Sequence, residues 1–252
     1  MSRGVSILPQ TVLEIQKRLR ADINAVLDDP LDPERHLRNL KVYAKATAEE
    51  KLLSFVPVIP CDLNSKFLLK MASIWPDPPL IAIGKVVPKL FPLSNQNEVL
   101  GVIRRLLEIK QIYPKSRVHV FGLGGFATAA IFFHIIDSTD SSNWIHDARF
   151  RRIRRLGGGF VRPDRPRSRA KFLEQKPCDC PGCEDYGPDI LDLSGSNGFQ
   201  LRALHNAWIL NKEMESLNQS ISTGRFYDFV QERANKSNWH KGFLQNVYQI
   251  IA

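Results

Sequence analysis

Leu80-Ile81-Ala82-Ile83-Gly84-Lys85 and Arg117-Val118-His119-Val120-Phe121-Gly122-Leu123-Gly124-Gly125, with residues 95–112 between them, decide the fold. Each short apolar run ends in glycine, and the intervening segment repeats its apolar residues at helical spacing, so the unit reads strand–helix–strand. Strands joined by a helix of that length pair in parallel. Upstream, residues 22–27 read as a strand stopped by Asp28-Asp29-Pro30, between helices over about 8–20 and 33–47. Residues 54–59 predict the next strand, broken by Pro60, and a helix follows over about 62–74. Downstream, Gly122-Leu123-Gly124-Gly125 leads into a short apolar helix, and Ile135-Ile136 feeds a fifth strand ending around Asp137 to Asp140. Five strands, each followed by a helix, predict parallel βα units of an α/β fold, either an open doubly wound sheet or a (β/α)8 barrel. Barrel enzymes gather their functional residues at the C-terminal ends of the strands. Those ends here carry Asp28-Asp29, Cys61-Asp62, Gly84-Lys85, Gly122 to Gly125, and Asp137 with Asp140. Five strands do not close an eight-stranded barrel, so the expectation is an incomplete barrel, its C-terminal part.

The 252 residues are 43% hydrophobic and 24% charged, which excludes a disordered chain by composition and is ample for a buried core. No run reaches the roughly 18 apolar residues of a membrane span, and Met1-Ser2-Arg3-Gly4-Val5 opens no secretory apolar region. A soluble cytoplasmic protein with no membrane partner is expected. Its formal charge is +9, and residues 149–171 alone hold ten cations, among them Arg149, Arg151, Arg152, Arg154 and Arg155, against the single acid Asp164. Such a tract attracts polyanions because each neutralised phosphate releases a counterion, and arginine's planar fork suits phosphate. Nucleic-acid contact is the favoured reading; a solvated loop, suggested by Gly157-Gly158-Gly159, is the alternative.

Cys178-Asp179-Cys180-Pro181-Gly182-Cys183 is the sharpest chemical signal. Three thiolates so close together can converge on one tetrahedral ion, and His205 is the nearest downstream histidine to complete a closed Cys3His zinc site. A reduced cluster without metal is the alternative. Cys61 reads as an isolated buried thiol, and His119, His134 and His240 as packing or surface residues.

These pieces resemble the tRNA-guanine transglycosylase superfamily (the queuine and archaeosine tRNA-ribosyltransferases and the 7-deazaguanine DNA transglycosylases). The likeness runs from about residue 8 to 229. Its strongest part is Cys178-x-Cys180-x-x-Cys183, followed in register by His205-Asn206, Met214, Leu217, Ile221 and Gly224-Arg225-Phe226. Leu27-Asp28-Asp29, Ala82-Ile83-Gly84 and Phe121-Gly122-Leu123-Gly124 are similar to the family's base-binding strand ends. Ile136-Asp137-Ser138-Thr139-Asp140-Ser141 is similar to its nucleophile strand. The resemblance implies a (β/α)8 barrel with an inserted zinc subdomain, here as βα units over 1–150, a basic loop and zinc subdomain over 151–212, and C-terminal helices over 213–252. It implies exchange of guanine for a 7-deazaguanine base in tRNA or DNA, with Asp28, Gly84 and Gly122 binding the base and Zn2+ as structural cofactor. In the favoured register Asp140 falls on the nucleophile and Asp137 on the motif's other acid; a shifted register exchanges them.

Departures accompany the likeness. The family's N-terminal barrel strands, with their Asp-Ser-Gly-Gly-Phe motif, have no counterpart, Ile59 stands where a glutamine is usual, and Lys85 stands where a second glycine is usual. A non-catalytic nucleic-acid-binding subunit, or the C-terminal half of a split enzyme needing an N-terminal barrel partner or a second copy, is therefore the competing expectation.

Overall fold

The computed structural model describes residues 8–19, 21–29, 31–49, 55–90, 96–125, 134–174, 178–191, 195–236 and 238–251. The chain divides into two compact units, Met1–Phe121 with His134–Thr139, and Gly122–Phe133 with Asp140–Ala252.

The first unit runs α1 (Pro9–Leu19), β1 (Asn24–Ala25), α2 (Pro33–Glu49), β2 (Phe55–Val56), β3 (Val58–Pro60), α3 (Ser65–Ile74), β4 (Leu80–Gly84), α4 (Val87–Leu90), α5 (Gln96–Ile112), β5 (Arg117–Val120) and β6 (Ser138–Thr139). β1 pairs with β2 in parallel, and β3, β4, β5 and β6 form a parallel sheet in chain order. A doubly wound sheet reverses its strand order at a switch point. The described strands show no reversal, so this is the winding of part of a (β/α)8 barrel. Residues 54–59, expected as one strand, are split at Pro57, which has no N–H for a ladder. Its carbonyl still accepts the Ala82 N–H at 2.9 Å, while β2 turns to β1 and β3 to β4. The short apolar helix expected after Gly125 lies outside the described residues.

Strands covered on both faces read as continuous apolar runs, and Ile81, Ala82 and Ile83 are buried in succession. From α5, Val99, Val102, Ile103, Leu106 and Ile109 line one buried helical face. β6 is fixed to β5 chiefly by Asp137. Its Oδ2 accepts the Val118 N–H at 2.7 Å and lies 3.2 Å from Lys110 Nζ, while its own N–H donates to the Val118 carbonyl at 2.8 Å. Thr139 Oγ1 donates to the Val120 carbonyl, and His119 Nδ1 lies 2.9 Å from Ser138 Oγ.

The second unit runs α6 (Asn143–Arg149), β7 (Ile153–Arg154), β8 (Phe160–Val161), α7 (Pro166–Glu174), α8 (Pro181–Tyr186), a 3-10 turn over Gly187–Leu191, α9 (Ser196–Ser222), α10 (Phe226–Ala234) and α11 (Asn238–Ile251). The basic tract is folded: β7 and β8 form an antiparallel hairpin, and α7 carries the later arginines. Gly157, Gly158 and Gly159 all have φ between +81° and +101°, which only glycine adopts without strain, so they make the hairpin turn. α9 is one unbroken helix across the boundary expected after residue 212. No helix among the described residues is long and apolar enough to cross a membrane.

Candidate functional site

Pro181 at the first turn of α8 supplies a fixed φ, and Cys180 caps that helix, its sulfur accepting the Cys183 N–H. The cap folds Cys180 and Cys183 toward each other. From α9, buried His205 then brings Nδ1 to 3.1 Å from Cys178 Sγ, 3.4 Å from Cys180 Sγ and 3.3 Å from Cys183 Sγ. A tetrahedral ion with Zn–S of about 2.3 Å and Zn–N of about 2.0 Å requires sulfur–nitrogen separations near 3.5 Å. All four ligand atoms lie within 4.8 Å of one another, so the cluster can hold a metal ion. The other ring nitrogen, Nε2, lies 2.9 Å from the Arg154 carbonyl. A carbonyl only accepts, so the proton is on Nε2 and the Nδ1 lone pair faces the thiols.

Hydrogen bonds from Cys178 and Cys183, reinforced by the Cys183 and Gly182 N–H groups, hold the Cys180 thiol far below its usual range. Hydrogen bonds with Cys178 and Cys180, then burial and the charge of those neighbours, push the Cys183 thiol the opposite way. A divalent cation relieves that conflict by taking all three sulfurs as thiolates. The cluster sits in its own apolar core of Ile153, Val161, Ile190, Leu191 and Leu201, so hairpin, knot and α9 pack as one body. Cys61, by contrast, is buried with its thiol pushed up to about 11 by desolvation, the inert thiol expected of it.

The expected arginines separate into two groups. Arg154 pairs with the buried Asp147 at 2.6 Å and Arg152 with the same carboxylate at 3.5 Å, whereas Arg149, Arg151 and Arg155 are exposed. Sequence reasoning assigned no role to Asp147, Arg202 or Asn206, all buried. Arg202 donates to the Ala148 and Ile190 carbonyls. Asn206 accepts the Arg154 N–H at 2.8 Å and donates to the Arg152 carbonyl at 3.0 Å and the Trp144 carbonyl at 3.2 Å. The available signal was polar residues at 202, 205 and 206 on a helix face that also carries Leu201 and Ile209. Asn206→Ala leaves three backbone groups without that partner, and a loss of about 2–3 kcal/mol is expected in urea denaturation, with the hairpin more open to hydrogen exchange.

Among the acids, Asp140 follows directly on β6, is exposed, and its Oδ1 accepts the Gly122 N–H at 2.9 Å. Asp137 is committed to β5, as described above. In the first unit, Asp29 is used locally: its Oδ1 accepts the Leu31 and Asp32 N–H groups, and Oδ2 pairs with Arg35 at 3.3 Å. No hydrogen bond or ion pair among the described residues takes the Asp28 carboxylate, whose charge pulls on His36. Behind this loop lies His36, not foreseen from sequence. It is 1% exposed, its Nδ1 accepts the Asp29 N–H at 3.2 Å, and burial lowers its pKa against the opposing pull of Asp28, so it is neutral. Gly84 ends β4, and a Cβ there would meet only Val58 at 3.9 Å. Packing there therefore does not demand glycine. Lys85 adopts φ +60°, the left-handed region costly for a side chain, and its ammonium lies 2.9 Å from Asp62.

The profile of the queuine tRNA-ribosyltransferase family matches residues 82–238, well over half of the chain. The tRNA-guanine(15) transglycosylase of Pyrococcus abyssi is 26% identical over 247 residues, covering 92% of this chain and 40% of the relative. That of Methanocaldococcus jannaschii is 28% identical over 251 residues, covering 91% and 36%. That of Sulfolobus acidocaldarius is 31% identical over 174 residues, covering 67% and 32%. The chain thus spans well under half the length of these curated relatives.

Proposed function

Because the chain belongs to the queuine tRNA-ribosyltransferase family, we propose that it is a pentosyltransferase exchanging guanine in nucleic acid for a 7-deazaguanine base through a covalent Asp–nucleotide intermediate. The observation that carries the reading is the exposed Asp140 carboxylate at the end of β6, whose Oδ1 accepts the Gly122 N–H of the glycine-rich turn. In this reading a carboxylate oxygen attacks C1′ of the target nucleotide. The C1′–N bond breaks, guanine departs with the bonding pair and takes up a proton from solvent at that nitrogen, and an ester joins Asp140 to the sugar. The incoming base attacks C1′ through its ring nitrogen and gives up that nitrogen's proton to solvent, the C1′–O bond breaks, and Asp140 is a carboxylate again, as in retaining glycoside chemistry. Asp28 accepts hydrogen bonds from the base's donor edge, while Gly84 and Gly122 let the backbone come close to the ring. Asp137 is the alternative nucleophile. The target nucleotide leaves its stack to be reached, and the arginine-rich hairpin holds neighbouring phosphates.

The Cys178, Cys180, Cys183 and His205 set fits Zn2+ in a structural role: four protein ligands close the tetrahedron and leave no position for chemistry. A reducing cytoplasm suits these thiols. tRNA is the first acceptor to test, since the relatives' names specify it; duplex DNA is the second. One other reading, which the departures at Ile59 and Lys85 favour, is a non-catalytic nucleic-acid-binding subunit or the C-terminal half of a split enzyme. Incorporation of labelled guanine into tRNA and into duplex DNA separates these. Exchange by the chain alone, or as a homo-oligomer, supports the first reading, and exchange only with an added N-terminal barrel partner selects the split enzyme. No exchange with either acceptor under both conditions removes the enzymatic reading.

A further inference from the structure

The β7–β8 hairpin and the residues that lead into it from α6 present two rings, Phe160 and Phe150, that neither the metal knot nor the acids use. Phe150 is 60% exposed and Phe160 49% exposed, although both are large and apolar. The Arg152 guanidinium lies over both, 4.7 Å from the Phe160 ring centroid and 5.7 Å from that of Phe150. Aromatic–guanidinium–aromatic contact on a surface leaves flat π-faces turned to solvent.

The hairpin bearing this group is fixed at both ends. At its base, Asn206 binds the Arg152 carbonyl and the Arg154 N–H, and His205 binds the Arg154 carbonyl. At its turn, the Gly157 N–H donates to Glu213, and Lys236 donates to the Gly157 carbonyl. Gly157 admits no side chain there, since its φ is +82° and a Cβ would run into the Lys236 ammonium. A rigid surface loses little entropy when it binds. Exposed Arg149, Arg151 and Arg155 surround it, and the tract's one acid, Asp164, is already taken by Arg162 at 2.7 Å.

We propose that Phe150, Arg152 and Phe160 form a stacking shelf for an unpaired base of single-stranded nucleic acid, whose phosphates run past Arg149, Arg151 and Arg155. The proposal rests on the nucleic-acid substrate of the reading above and deepens it, adding that the strand next to the target is unpaired. Every base has a π-face, so aromatic shelves bind single strands with little sequence preference, while cations track the backbone. An acidic protein partner would meet the arginines, but its charge gives no reason for two exposed rings beside them, whereas a base's flat face does.

The test is fluorescence anisotropy of the full chain with labelled single-stranded RNA, single-stranded DNA and a paired duplex over a salt series. Phe160→Ala is expected to weaken single-strand binding about tenfold with an unchanged salt slope, whereas Arg155→Gln weakens it with the slope reduced by about 0.7. Phe160→Trp should restore affinity, and Phe160→Leu should not. Both rings are exposed, so thermal unfolding of the variants should match the parent. RNA and DNA arms bound alike support the shelf, and a preference for one adds its sugar. Unchanged affinity in Phe160→Ala, full rescue by leucine, or tighter binding of the duplex than of both single strands would overturn it. Phe160-dependent binding without base exchange, by the chain alone or with an added N-terminal barrel partner, leaves the shelf standing and removes the enzymatic reading; exchange without Phe160 dependence does the reverse.

Discussion

Asp140→Asn is expected to lower base exchange by about a thousandfold or more and to abolish any covalent adduct with nucleic acid, in whichever assembly supports exchange. The substitution keeps shape and an oxygen able to accept the Gly122 N–H at Oδ1, so the turn stays in place. What it removes is the negative charge that makes a nucleophile. The control is Asp137→Asn. There the carboxylate serves the Val118 N–H and Lys110, so about 1–2 kcal/mol of stability should be lost in urea while exchange continues. Denaturing gels of each variant trapped with its nucleic acid read the two outcomes. An adduct that survives in Asp140→Asn but vanishes in a folded Asp137→Asn would move the nucleophile three residues upstream.

Much of the fold was legible because its information is local. Ile81 to Ile83 and the apolar spacing of α5 declare a strand and a helix without reference to the rest of the chain. Pro57 was less legible: a strand interrupted for one residue keeps its apolar pattern, and only the pairing shows β2 facing β1 and β3 facing β4. The metal knot was legible for the same local reason, three of its ligands lying within six residues. Its supports were not. Asn206 acts on residues 52 and 54 positions away in sequence, and Asp147 is an ion-pair partner only because α6 packs on α9 beside the hairpin. The arginine tract shows the limit most clearly. Ten cations over residues 149–171 looked equivalent as charges, yet folding commits Arg152 and Arg154 to a buried carboxylate and leaves Arg149, Arg151 and Arg155 exposed. His36 was missed because a lone histidine on an apolar helix face has no local signature; its role comes from the Asp28-Asp29 loop folded against it.

Cys180→Ser should lose the metal and with it the second unit's ordered core. A serine hydroxyl is not a thiolate at neutral pH, so it withdraws one of four ligands and the negative charge that goes with it. Binding and folding are coupled at such sites, where the ion contributes on the order of 10 kcal/mol, so losing one ligand should cost several. The loss extends beyond the knot. Cys180 and Cys183 belong to the apolar core beneath the hairpin, and His205 joins that core to the hairpin through the Arg154 carbonyl. Without the ion, nothing balances three sulfurs that compete for protons around one imidazole nitrogen. Elemental analysis should find one zinc per parent chain and substantially less in the variant. A strong chelator should lower the parent's midpoint in thermal unfolding toward that of Cys180→Ser and leave the variant unchanged. A parent that carries no metal as isolated, gains none on reconstitution and unfolds identically with and without chelator would leave the cluster as three reduced thiols and an imidazole held by packing and hydrogen bonds. The hairpin would then owe its position to Asn206 and Asp147.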